Sequence, residues 1–167
     1  MEEKEAIFNN PSLGSLSIKE VVSAIVKFVG EDKNVFYRLV IGTDSQERRL
    51  NGSREVEFVT AIVIHRLGKG GRYFWTKSPT KLVYSLREKI YGETLTSLDY
   101  AQKLVPILQA ELADLAPYDL EIHIDVGEVG PTRVMIKEVV GMVTGNGFVA
   151  KTKPESYGAS VVADKYT

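Results

Sequence analysis

The sequence predicts a mixed α/β domain with a five-stranded mixed sheet, helices on both faces and an additional N-terminal helix. Three observations predict it. Strand-like segments between residues 35 and 76 are joined by short turns, the apolar spacing becomes helical after residue 80, and strands alternate with helices after residue 117. The chain has 167 residues, of which 44% are hydrophobic, so we expect a single domain over residues 1–167.

The first helix is marked by its capping residues. Ser17 and Glu20 have the spacing of a capping box, in which each side chain bonds to the other residue's backbone N–H. Gly30 is expected to end the helix, because glycine is common just after the last helical residue. The apolar residues between them fall on one face, which we expect to pack on the sheet; they are Val21, Val22, Ile25, Phe28 and Val29.

The next three segments predict an antiparallel meander. Residues 35–43 are almost continuously apolar, which is typical of a central strand buried on both faces, and we expect this strand to end at Asp44. Residues 56–65 and 72–76 form the second and third strands. The turn at Asn51-Gly52 and the glycine-rich residues 66–71 are too short for crossover helices, so neighbouring strands must run antiparallel.

The second half of the chain alternates between helices and strands. Helical spacing predicts one helix through Leu82, Leu86 and Ile90 and a longer one after Gly92, which Pro106 can kink. The segment LEIHIDVG then reads as a strand, with Glu121, His123 and Asp125 on one face. A helix over 132–144, a strand over 148–153 and a final helical segment over 158–166 complete a mixed sheet.

Composition narrows the chemistry and the cellular setting. The chain has no cysteine, which excludes disulfides, thiolate zinc sites and a cysteine nucleophile. Its net charge of -1 divides into +5 over residues 31–90 and -5 over residues 91–167. An acidic N-terminus and the lack of a membrane-length apolar run predict a cytoplasmic protein with no membrane partner. The edge of the meander could pair with a second copy of the chain, so a homodimer is a further possibility.

Two aspartates follow predicted strands of the sheet. Asp44 comes at the end of the most apolar strand, and Asp125 follows the strand after residue 117. If the two strands are parallel neighbours, both carboxylates emerge at one sheet edge and can share a divalent cation. Asp44 can equally be a turn residue that accepts backbone N–H bonds. His123 lies one pleat deeper than Asp125, and we expect it to support the site rather than bind metal.

Two further acids could complete the site. Glu93 lies at the start of the long helix, where it could also serve only to compensate the helix dipole. Asp164 lies near the C-terminus, where it could also be a frayed terminal residue. An all-oxygen set predicts Mg²⁺ or Mn²⁺ as the cofactor.

Basic residues near these acids could contact the backbone of a nucleic-acid partner. Lys151 and Lys153 lie on the predicted last strand, and Arg48 and Arg49 lie near the first turn of the meander. Solvation of a strand edge and of a hairpin surface is the alternative explanation for these charges.

These segments resemble the ribonuclease H-like YkuK family, a bacterial group of unassigned activity. The similarity runs from about residue 8 to the end and includes IGTDSQ, SLREKIYGETLTSLDYA, HIDVG and KTKPESYGASVVADKYT. The resemblance implies a ribonuclease H-like core in the order β-β-β-α-β-α-β-α. It also implies that Asp44, Glu93, Asp125 and Asp164 occupy the acidic positions of that superfamily. Asp99 or Glu88 could replace Glu93 there, and an asparagine at position 164 in relatives would leave three carboxylates.

The leading functional hypothesis is a divalent-metal-dependent nuclease, or a related phosphodiester hydrolase, acting on DNA or RNA. It expects the carboxylates of Asp44, Glu93 and Asp125 to converge within reach of one ion. The alternative is a non-catalytic module that keeps the fold and binds nucleic acid or protein. A third hypothesis, an actin-like phosphate loop at residues 125–132, would require a duplicated domain that 167 residues cannot hold.

Overall fold

The structure, a computed structural model, describes residues 5–50, 52–79, 81–83, 85–112 and 118–156. Three α-helices lie in this part of the chain: α1 (Ile18–Glu31), α2 (Leu86–Leu112) and α3 (Ile136–Gly145), the last preceded by a 3₁₀ turn. The strands in chain order are β1 (Phe8–Asn10), β2 (Gly14–Leu16), β3 (Tyr37–Leu50), β4 (Ser53–Arg66), β5 (Gly71–Lys77), β6 (Lys81–Leu82), β7 (Tyr118–His123) and β8 (Val149–Lys151).

One mixed sheet contains all of these strands. Its order is β2-β1-β5-β4-β3-β7-β8, with β6 pairing separately with β4. The predicted meander is confirmed, because β3, β4 and β5 pair antiparallel. β7 lies parallel to β3, and β8 lies parallel to β7. This arrangement places the end of β7 beside β3, as the shared-edge hypothesis requires.

The prediction of five strands is wrong, since the described residues form eight. The additional strands are β6 and the hairpin of β1 and β2, which extends the sheet through the pair Asn9 and Trp75. Asn10 makes the tight turn of this hairpin: its Oδ1 accepts hydrogen bonds from the backbone N–H groups of Ser12 and Leu13 at 2.8 and 2.9 Å. Its Nδ2 also donates to the Tyr73 carbonyl. A side chain can therefore build a strand end in a segment whose pattern resembles a loop.

β3 does not end at Asp44, as the sequence pattern predicted. It continues to Leu50 and pairs with β4 along its whole length, with Asp44 opposite Val59 and Leu50 opposite Ser53. The turn uses Gly52 at a φ of +80°, a conformation that favours glycine. Asp44 is thus held inside a ladder of backbone hydrogen bonds and not at a strand terminus.

The two helices predicted between residues 82 and 108 are one helix, α2. Leu82 belongs instead to β6, and the helix runs through Gly92 without a break. A Cβ atom at Gly92 would lie 2.6 Å from the ring of the buried Phe58. The glycine therefore permits close packing of α2 on the sheet and does not end a helix.

The main core lies between the sheet and the helices. Side chains from α1, α2 and α3 join one buried cluster with Leu39, Ile41 and Ile122 of the sheet. The capping box of Ser17 and Glu20 is present, with both hydrogen bonds formed. A smaller cluster on the opposite face of β3 and β4 contains Val40, Val59 and Ala61.

The sequence predicted helices on both faces of the sheet. The three described helices all pack in the main core, on one face. The last predicted helix, residues 158–166, lies outside the described residues. Within them, no helix is long and apolar enough to cross a membrane.

Candidate functional site

The structure brings three of the four predicted acids to one region of the sheet. Asp44 lies in β3, Glu93 in α2 above it, and Asp125 two residues beyond β7. The negative charges of Asp44 and Asp125 both raise the pKa of Glu93, so the three carboxyl groups are close enough to interact. Asp164 lies outside the described residues.

Glu93 is the most deeply buried of these acids, with 3% of its surface exposed. Ser45 donates a hydrogen bond of 2.6 Å to Oε1, while Oε2 is buried with no hydrogen-bond partner among the described residues. Burial raises the pKa of Glu93 from 4.5 to about 8; the bond from Ser45 acts against this shift, and the charge of Asp44 adds to it. Glu93 therefore carries its proton at neutral pH unless a divalent cation binds beside it.

Buried hydroxyl groups hold α2 against the strands beneath Glu93. The hydroxyl of Thr43 lies 2.9 Å from that of Thr60 on β4 and 2.7 Å from that of Ser97 on α2. Residues 43 and 45 face α2 because side chains alternate along a strand. Ser45 and Ser97 were not among the predicted site residues, although the alternation from Ile41 onward could have indicated the first of them.

Alternation also places Asp44 on the opposite face of β3 from Ser45. The side chain of Asp44 thus leaves the face of β3 that α2 covers, although its charge still acts on the pKa of Glu93. In the described parts of the chain, no group of three or more histidine and acidic side chains has the spacing to hold a metal ion. The expected convergence of Asp44, Glu93 and Asp125 into one coordination shell is therefore not seen, even though the three charges interact.

Asp125 is bound by a lysine. The Lys153 ammonium lies 2.8 Å from Oδ1 of Asp125, and this hydrogen bond is the main cause of the raised pKa of Lys153. Asp44 and Glu93 raise that pKa further through their charges. Lys153 had been predicted on the last strand as a phosphate contact, but β8 ends at Lys151, and Lys153 lies beyond it.

His123 and Glu121 lie on one face of β7 and form a polar cluster with Arg38. Its Nε2 lies 3.0 Å from Oε2 of Glu121, whose Oε1 pairs with Nε of Arg38 at 3.2 Å. Burial lowers the pKa of His123, and Glu121 partly offsets this effect. The ring is therefore neutral at pH 7, and its Nδ1 has no partner among the described residues. The partner that the structure gives His123 is Glu121, and its supporting role toward the acids stays a prediction.

The other predicted residues are the alternative acids of α2 and the basic residues. Asp99 is exposed and pairs with Lys103, and Glu88 is exposed, so Glu93 is the acid of α2 that faces the site. Lys151 pairs with Glu155 at 3.6 Å. Arg49 is exposed near the tip of the hairpin of β3 and β4, and the side chain of Arg48 lies outside the described part.

The donor chemistry of this region fits a divalent cation. Carboxylate oxygens are the ligands that Mg²⁺ and Mn²⁺ prefer, and a cation could bind the buried Oε2 of Glu93, which the described residues leave without a partner. A divalent charge would also favour the ionised form of Glu93 over the protonated one.

Comparison with known proteins agrees with this architecture. A family model described as ribonuclease H-like matches residues 20–167. The chain is also similar to an uncharacterised protein of Bacillus subtilis (strain 168), YkuK, with 34% identity over 171 residues and 96% of each chain covered. No solved structure gives a significant match.

Proposed function

The chain belongs to the ribonuclease H-like family and is similar to YkuK, and on that premise we propose that it is a divalent-metal-dependent nuclease. Its reaction would be hydrolysis of a phosphodiester bond in DNA or RNA. The observation that carries the proposal is the state of Glu93: it is buried, one of its oxygens has no partner within the described part of the chain, and it lies within the electrostatic reach of Asp44 and Asp125.

Asp44, Glu93 and Asp125 would hold Mg²⁺ or Mn²⁺, with Asp164 as the fourth proposed ligand. The bound ion would polarise the phosphodiester group and lower the pKa of a water molecule. Ser45 fixes the carboxyl group of Glu93 through the 2.6 Å hydrogen bond. The bonds of Thr43 to Thr60 and Ser97 fix the helix that carries it. Such support keeps ligand atoms in place before the ion binds.

Contacts to the nucleic-acid backbone would come from Arg48, Arg49 and Lys151. Arg49 is exposed near the tip of the long β3–β4 hairpin, which extends beyond the β7 pairing that ends at Gly42. An exposed guanidinium there can pair with phosphate oxygens without disturbing the core.

The test is hydrolysis of labelled single- and double-stranded DNA, RNA and hybrid duplex in Mg²⁺ or Mn²⁺. We expect Asp44→Asn to lower turnover by about 100-fold or more, since it removes a ligand charge that stabilises the transition state. Asp119→Asn is the matched control, because Asp119 is an exposed aspartate on β7, six residues before Asp125. Equal turnover by the parent and Asp44→Asn would reject the catalytic assignment.

One observation favours the second candidate, a non-catalytic module that binds nucleic acid or protein. Among the described residues the acids do not form a coordination shell, and Lys153 binds Asp125. The same substrates distinguish the two functions. A binding module would shift labelled nucleic acid in a gel without cleaving it, and its affinity would be the same with chelator as with Mg²⁺.

A further inference from the structure

Lys153 stands out among the basic residues because its ammonium contacts a candidate ligand directly. The 2.8 Å distance to Asp125 is that of a charge-assisted hydrogen bond. The same ammonium also lies within electrostatic reach of the carboxyl groups of Asp44 and Glu93. A single lysine thus supplies positive charge where the proposed function puts a cation.

The backbone holds Lys153 in a fixed place. Its N–H donates to the Val126 carbonyl at 2.8 Å, and the N–H of Ile124 donates to the Lys151 carbonyl at 2.9 Å, so the chain continues beside the end of β7 beyond β8. A Cβ atom at Gly127 would lie 3.1 Å from Cβ of Lys153. The glycine therefore lets the two segments approach closely enough for the lysine to reach Asp125.

The charged end of the Lys153 side chain, in contrast, is free to move away from Asp125. The side chain is 57% exposed, and that of Asp125 is 34% exposed. Lysine carries its charge on a flexible four-carbon stem, and ion pairs this open to solvent are weak. The root of the side chain is therefore fixed while its charged end can move into solvent.

We infer that Lys153 is a built-in counter-ion of the candidate metal centre, which holds Asp125 in the metal-free protein and must be displaced when a divalent cation binds. This inference rests on the proposed function, since it concerns the same acids. The contact that supports it is the 2.8 Å bond between the Lys153 ammonium and Oδ1 of Asp125, which occupies an oxygen that a cation would need.

Competition of this kind makes Lys153 a determinant of metal affinity. Replacing it with methionine keeps the length of the stem and removes the charge. Loss of an exposed ion pair and of a positive charge near the ion should tighten binding by about 3- to 10-fold. Lys153→Arg retains the charge and should stay near the parent value.

The experiment is a calorimetric titration of the chelator-treated full chain with MnCl₂ at fixed pH and ionic strength. The parent, Lys153→Met and Lys153→Arg are compared with Lys151→Met as the matched control. Lys151 precedes Lys153 by two residues, but its ammonium pairs with Glu155. We expect tighter binding in Lys153→Met alone, and Asp125→Asn should weaken binding both in the parent and in the Lys153→Met background. Thermal unfolding in chelator checks that each variant is folded.

The outcomes separate this inference from the proposed function. If the parent binds Mn²⁺ and Lys153→Met binds it equally or more weakly, the counter-ion role is overturned and the metal centre stands. A Lys153→Met variant with unchanged metal affinity and weaker binding of a labelled oligonucleotide would assign the lysine to substrate phosphate instead, again against the inference. If neither the parent nor Lys153→Met binds Mn²⁺, both the metal centre and the counter-ion role fail.

Discussion

Replacing Glu93 with glutamine isolates the energetic consequence of burying an acid under α2. Glutamine has nearly the same shape, and its amide oxygen can accept the hydrogen bond that Ser45 donates to Oε1. The substitution removes the ability to ionise while preserving the packing. Any pH-dependent difference in stability between the two proteins therefore reports on the proton of Glu93.

The sign and size of this difference in stability follow from the pKa of Glu93, which is ordinarily 4.5 and is about 8 in the folded chain. Between these values the unfolded chain has lost the proton and the folded chain keeps it, so stability falls as pH rises. Each pH unit above 4.5 costs the parent about 1.4 kcal/mol relative to the variant. At pH 7 we expect Glu93→Gln to be more stable than the parent by up to about 3 kcal/mol.

The assay is urea unfolding at several pH values between 4.5 and 8, with chelator present throughout. The free energies of unfolding of the two proteins should be close at the acid end and diverge as pH rises. Glu111→Gln, an exposed position on the same helix, controls for the loss of one negative charge. A difference that does not change with pH, or a variant less stable than the parent at pH 7, would refute the assignment of a buried, proton-bearing Glu93.

The remaining predictions concern the helices, and the free energy of unfolding in urea checks each of them. Gly92→Ala should destabilise the protein by about 1–2 kcal/mol, because the gain in helix propensity is smaller than the cost of pressing a methyl group 2.6 Å from the Phe58 ring. Gly141→Ala, at an exposed helical glycine with open space around it, should instead stabilise by about 0.5–1 kcal/mol, and equal effects at the two glycines would contradict the packing role of Gly92. Ser17→Ala should cost about 1 kcal/mol through loss of the capping box, so a value near zero would count against that role.

Local patterns were sufficient wherever one residue's neighbours in sequence decide its structure. The capping box at Ser17 depends on a spacing of three residues, and the meander depends on turns too short to permit any other pairing. These two features need no knowledge of distant contacts. The parallel pairing of β7 with β3 was a condition of the shared-edge hypothesis, and the structure meets it.

The predictions from sequence were wrong where contacts between residues far apart in the chain determine the structure. Residues 44–49 are polar, so their pattern ends the apolar strand, yet full pairing with β4 extends β3 through them to Leu50. Gly92 is a helix breaker in isolation and a packing residue once Phe58 lies against it. The bond of Lys153 to Asp125 joins residues 28 positions apart, and no local pattern contains it. In each case tertiary packing outweighed a local preference.

Because β8 follows β7 in the chain, the residues that pair at this edge of the sheet are synthesised one after the other. Asp44, Glu93 and Asp125 leave the ribosome before Lys153, and the contacts among them join segments far apart in the chain, which form late in folding. A nascent chain that ends before residue 153 therefore holds three acids without their internal cation. Its folding should depend more strongly on divalent ions than that of the finished protein.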